Sequence, residues 1–257
     1  MKLFARSPIF RSIEKDQSYA YENERACTIH GIFGKTILLL VIAIAGAAVA
    51  IAMMYNITDE DHLVTFAGIL IGAVIASLIS GLIANFSIRL CPIFSIIYSI
   101  SEGFLLGTVS LIADIYYPGI AVTALVCTFV VTFIMGILYF TGIVKVGAKF
   151  KAFMITALIS IVIGSLILWI LAACNVRGMQ DILYDVHNPI GWIIVIVLVL
   201  FAALMLLIDF DYAANLAEEE TDKKYEWRAA YALALGVMYL YVRILDLLIR
   251  IAAASKK

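Results

Sequence analysis

Residues 229–254 read AAYALALGVMYLYVRILDLLIRIAAA, an apolar stretch whose charged residues are Arg243, Asp246 and Arg250. A helix needs about 20 predominantly apolar residues to cross a hydrocarbon core about 30 Å thick, so this stretch is long enough to span a membrane. At about 100° per residue, spacings of three and seven residues place the three charges on one face. We therefore predict a transmembrane helix that carries one charged stripe.

The rest of the chain has the same apolar character. Of the 257 residues, 64% are hydrophobic and 14% are charged, and the mean hydropathy is +1.06. This composition predicts an all-α integral membrane protein with seven transmembrane helices in residues 35–257, preceded by an N-terminal segment, 1–34. The six further apolar runs are Thr36 to Tyr55, Val64 to Phe86, Pro92 to Ile115, Ile120 to Val144, Phe153 to Cys174 and Ile190 to Leu207.

The distribution of Lys and Arg predicts the orientation of the chain. Thirteen of them lie in residues 1–35 and in the second, fourth and sixth loops, against three on the opposite side. Because positive residues accumulate in cytoplasmic loops, we expect the N-terminus in the cytoplasm and the C-terminus outside. The formal net charge is -1 and no basic block is present, so the expected partner is the lipid bilayer and not nucleic acid.

The sequence lacks the motifs of common membrane and metal-dependent enzymes. The four cysteines form no C-x-x-C pair, the three histidines form no H-E-x-x-H, and no G-x-G-D is present. We therefore expect neither an enzyme nor a bound cofactor or metal. Two G-x-x-x-G motifs, Gly68 with Gly72 and Gly103 with Gly107, predict close helix packing.

Charged residues inside the spans are the candidate functional residues. Glu102 is ten residues beyond Pro92, which places it about 15 Å into the membrane. Arg243 and Asp246 lie about 21 and 26 Å from the start of their span. A charge at such depth costs about 2.5 to 3.5 kcal/mol on insertion scales. Two interpretations stay open: an ion pair that joins spans three and seven, or an ion or proton pathway.

Asp209 and Asp211 close the sixth span at its predicted cytoplasmic side. On position alone, a solvated helix end explains them as well as a functional site does. Asp209 should lie near the membrane edge, whereas Arg243 lies beyond the centre by the same count. Straight spans would not bring these two side chains together, although tilt or continuation of the helices could.

Four stretches along the chain carry a resemblance to a known family. They are CTIHGIFGKTILLL (27–40), YSISEGFLLGTVS (98–110), LIDFDYA (207–213) and KKYEWRAAYALALGVMYLYVRILDLLIRI (223–251). Together they resemble the bacterial branch of the Bax inhibitor-1 family, also called transmembrane Bax inhibitor motif proteins. The resemblance implies a seven-helix bundle with a central C-terminal helix in the bacterial inner membrane. It also implies a pH-sensitive calcium leak gated by paired acids on the last two helices, and a stress-response or protease-regulating role in some members.

Matched residue by residue, Asp209 and Glu102 fall on acidic positions of the family pattern. Arg243 stands where the family has its second acid, and Asp246 stands where bacterial relatives have a basic residue. We therefore expect an ion pathway for calcium or protons that involves Glu102, Asp209, Arg243 and Asp246, with calcium bound transiently by carboxylate oxygens and Arg243 as a lock that neutralises nearby carboxylates. The alternative is a non-transporting regulator that binds a membrane protease or another stress-response protein.

Overall fold

The computed structural model describes residues 26–57, 60–173 and 188–255. Each helix in this part of the chain is long and apolar enough to cross a membrane, so the predicted all-α architecture with seven spans is confirmed. The remaining residues, which include most of the predicted N-terminal segment and Cys174, lie outside the described part. The helices are α1 (Ile29–Tyr55), α2 (Glu60–Phe86), α3 (Cys91–Tyr116), α4 (Ile120–Phe140), α5 (Ala148–Ala173), α6 (Pro189–Glu218) and α7 (Tyr225–Ser255).

The last two helices are longer than the apolar runs that predicted them. α6 continues to Glu218, eleven residues beyond Leu207, and α7 begins at Tyr225, four residues before Ala229. Hydropathy marks the part of a helix that suits hydrocarbon, whereas backbone hydrogen bonds continue wherever side chains and solvent allow. The extensions bring charged residues of both helices into packed surroundings.

α7 lies at the centre of the bundle, as predicted. It packs against α1, α2, α3, α4 and α6, and buried side chains follow it from Tyr225 to Leu245. α5 is the most peripheral helix: it packs against α6, and most of its side chains are exposed. The central position of α7 places its charged stripe inside the bundle or along a gap between neighbouring helices.

Glycines bring α1 and α3 into close contact. A Cβ atom at Gly103 would lie 2.1 Å from the carbonyl oxygen of Ala43, and one at Gly107 would lie 2.5 Å from Cα of Ala47. The predicted packing role is therefore confirmed for this pair. It is wrong for Gly68 and Gly72 within the described residues, because a Cβ at either position would have no neighbour within 4 Å.

Candidate functional site

A cavity of about 460 Å³, lined by both apolar and polar side chains, lies between α6 and α7 and is bordered by α2 and α5. It extends along α7 from Arg228 in the first turn to Tyr239, about three helical turns further on. The polar side chains that line it are Asn85, Asp209, Tyr212, Arg228, Tyr231 and Tyr239. The cavity therefore joins one predicted site residue, Asp209, to polar groups that the sequence did not single out.

Asp209 faces the central helix at a glycine. A Cβ atom at Gly236 would lie 2.6 Å from Oδ2 of Asp209, so the carboxylate occupies space that only a glycine leaves free. No salt bridge to Asp209 is present among the described residues. Gly236 is eight residues, or about 12 Å, further along α7 than Arg228. The interpretation of Asp209 as a solvated helix end is therefore wrong.

Arg243 lies beyond the deep end of this cavity. Its guanidinium carbon is 4.8 Å from the ring centre of Tyr239, which lines the cavity, so the two side chains form a cation–π contact. Its Nε is buried without a hydrogen-bond partner. Within the described ranges, no salt bridge joins Arg243 to Asp209 or to Asp246. The expected neutralisation of nearby carboxylates is therefore not seen as an ion pair.

Asp246 pairs with the last charge of the stripe. Oδ1 of Asp246 lies 3.5 Å from Nε of Arg250, one helical turn further on, and 39% of the Asp246 side chain is exposed. The spacing of four residues is the one that brings side chains of a helix together. Asp246 is thus close to its neighbour on α7 and separate from Asp209.

Glu102 lies on α3 and is not among the residues that line the cavity. Its electrostatic neighbours include Ser77 of α2, Tyr98 and Tyr231. The Tyr231 hydroxyl donates to the carbonyl oxygen of Gly81 at 3.4 Å, and its ring contacts that of Tyr98 edge-on. Tyr231, unlike Glu102, lines the cavity together with Asp209.

A second charged cluster joins α1 to the start of α7, and sequence reasoning missed it. The Glu226 side chain is 1% exposed and forms an ion pair with Lys35. It also accepts hydrogen bonds from the backbone N–H and the hydroxyl of Thr28, at 3.0 and 3.2 Å. Lys35 in turn lies over the ring of Trp227. Both charges lie just outside the apolar runs Thr36 to Tyr55 and 229–254, so their positions along the chain did not predict this contact.

Asp211 holds α5 against α6. Its carboxylate forms an ion pair with Lys151 of α5 and accepts hydrogen bonds from the Tyr139 hydroxyl at 3.3 Å and from the Asn215 amide at 2.9 Å. Asp211 is buried, so the interpretation as a solvated helix end is wrong for this residue too. Because α5 has few other contacts with the bundle, this ion pair contributes to holding α5 against α6.

Comparison with known proteins gives one match. A family model described as "Bax inhibitor 1 like" matches residues 7–253, which is nearly the whole chain. No curated protein and no solved structure matches the chain.

Proposed function

The chain belongs to the Bax inhibitor 1 like family, and from this premise we propose that it is a multi-pass membrane protein through which cations leak, with calcium favoured and with pH as a control. The observation that carries the proposal is the position of Asp209. Its carboxylate lines the cavity between the last two helices and has no salt-bridge partner in the described part of the chain. Ionisable groups inside a membrane domain mark ion or proton pathways by default.

The chemistry of the cavity suits brief contact with a hard cation. Calcium prefers oxygen ligands, and Asp209 supplies carboxylate oxygens while Tyr231 and Tyr239 supply hydroxyl groups nearby. One carboxylate provides far fewer ligands than the six to eight oxygens that calcium takes in a storage site. Water would complete the coordination, so the ion could leave as readily as it enters.

Arg243 is the proposed lock. A cation that passes Asp209 along α7 next meets the guanidinium that lies over Tyr239, and the two positive charges repel each other. Beyond it, Asp246 restores a negative charge. Protonation of Asp209 would remove the charge that attracts the cation, which gives the leak its dependence on pH.

The proposal is tested with purified protein in liposomes that contain a calcium indicator, over a series of pH values. Asp209→Asn should lower the initial rate at least about tenfold, which corresponds to about 1.4 kcal/mol, and should flatten the pH profile. The matched control is Glu219→Gln, which removes an exposed carboxylate at the end of the same helix and should leave the rate unchanged. Arg243→Gln should raise the rate, because it removes the repelling charge.

Two results would contradict the pathway. An unchanged rate in Asp209→Asn would exclude Asp209 as the cation contact. An unchanged rate in Asp246→Asn would exclude that carboxylate from the conduction path. If the unmodified protein shows no flux in pure liposomes and instead co-purifies with a membrane protease, the non-transporting regulator is favoured.

A further inference from the structure

The cavity beside α7 is bordered by α2 and α5, two helices whose described residues do not pack closely on each other. Asn85 of α2 and Leu158 of α5 both line it, while α5 packs against α6 and leaves a gap on the side of α2. Through this gap the central helix is accessible: Leu235 is 38% exposed, although the adjacent Ala234 and Gly236 are buried. In a membrane, a lipid molecule can therefore reach the cavity from the side.

An arginine without a salt bridge lines the end of the cavity nearest the start of α7, and we call this end the mouth. Arg228 lies in the first turn of α7 and lines the cavity. Within the described ranges it forms no ion pair, in contrast to Lys35 and Lys151, which are bound to Glu226 and Asp211. The groups that its charge reaches are the Cys91 thiol and the Tyr212 hydroxyl, neither of which is an anion partner at neutral pH.

We propose that this mouth binds the phosphate of an anionic phospholipid. The Arg228 guanidinium holds the phosphate oxygens, the acyl chains leave through the gap between α2 and α5, and Asn85 lies beside the headgroup. Arginine suits this contact because its planar fork of N–H donors matches phosphate oxygens. Basic pockets between transmembrane helices are known to hold anionic headgroups. This inference goes beyond the proposed leak and does not depend on it.

The position and lining of the cavity favour a lipid over a free anion. Arg228 is three residues into α7, which is the depth of the membrane interface where lipid phosphates lie. Apolar side chains of Leu158, Met205 and Leu235 line the same cavity and fit acyl chains, which inorganic phosphate lacks. Asp209 of α6 faces Gly236, which is about 12 Å further along α7 than Arg228, and no salt bridge joins Asp209 to Arg228 within the described ranges.

The experiment uses the full chain, purified in a neutral detergent and titrated with short-chain phosphatidylglycerol while bound lipid is counted by native mass spectrometry. Arg228→Gln should weaken phosphatidylglycerol binding at least about tenfold, which corresponds to about 1.4 kcal/mol. Lys223→Gln removes the same charge from an exposed position outside the cavity and should leave binding unchanged. Phosphatidylcholine of the same chain length should bind more weakly than phosphatidylglycerol.

A second variant keeps the Arg228 charge and fills the cavity. Ala232 lines the cavity, so Ala232→Phe should fill it and weaken phosphatidylglycerol binding even if Arg228→Gln fails to fold. Equal effects of Arg228→Gln and Lys223→Gln, or equal binding of the two lipids, would overturn the proposal. Displacement of phosphatidylglycerol by inorganic phosphate at comparable concentration would also overturn it, since the site would then be a simple anion site.

Discussion

Replacing Lys35 with methionine should destabilise the protein more than the same replacement of a lysine in a loop. The partner carboxylate of Glu226 is 1% exposed, and Lys35→Met would leave it with the two hydrogen bonds from Thr28 alone. Removing one member of a buried ion pair costs about 3 to 5 kcal/mol, because the other charge stays buried without compensation. Lys35 is itself 19% exposed and the Thr28 contacts remain, so we expect the lower end, about 3 kcal/mol.

Thermal unfolding in detergent measures this effect. For a chain of this size, 1 kcal/mol corresponds to a shift in Tm of about 2 to 4 °C, so Lys35→Met should lower Tm by about 6 to 12 °C. Lys224→Met is the control, because its bridge to Asp222 at 2.6 Å is more exposed and such pairs contribute about 1 kcal/mol at most. The double variant Lys35→Met with Glu226→Gln should lose much less than the sum of the two single losses. Equal Tm shifts in Lys35→Met and Lys224→Met, or strict additivity, would refute the reasoning.

Three further predictions rest on other contacts. Gly103→Ala should destabilise the protein by about 1 to 3 kcal/mol in thermal unfolding, because its Cβ would lie 2.1 Å from a carbonyl oxygen of α1, whereas Gly68→Ala should be neutral or stabilising. Lys151→Met should loosen α5 from Asp211, so amide hydrogen exchange should become faster in α5 and stay unchanged in α3. Equal exchange rates of α5 in the variant and in the unmodified protein would contradict the role of this ion pair. Burial, and next the Glu226 carboxylate, raises the pKa of the Cys27 thiol, so its alkylation in a single-cysteine variant should need a higher pH in the folded protein than after unfolding. Equal pH midpoints in the two states would contradict this.

The prediction of the spans succeeded because hydrocarbon imposes one strong requirement on a helix. Any run of about 20 apolar residues meets it, and this can be read from composition without any knowledge of neighbours. The ends of α6 and α7 were less predictable, since they lie where Asp211 and Glu226 find partners on other helices. The family resemblance, carried by four stretches, is confirmed by a match over residues 7–253.

The contacts of the charged residues were only partly predictable from the sequence. The sequence placed Arg243, Asp246 and Arg250 on one face, and the pairing of Asp246 with Arg250 follows from their spacing of four residues. The contact between Arg243 and Tyr239 has the same spacing of four residues on one helix. No spacing along the chain could show that Asp209 faces Gly236, because this contact joins two different helices and depends on how they cross.

By itself, the sequence determined that this protein is a bundle of seven membrane-spanning helices, that the last helix carries a charged stripe, and which family the chain resembles. These follow from local properties, namely apolar length, helical period and motif order. Only the tertiary structure decided which charges are neutralised and which face open space. It buried Glu226 and Asp211 in ion pairs with Lys35 and Lys151, and it left Asp209 and Arg228 along a cavity without a salt bridge among the described residues. The physical reason is that the free energy of a charge inside a membrane depends on groups within a few ångströms of it, and those groups come from distant parts of the chain.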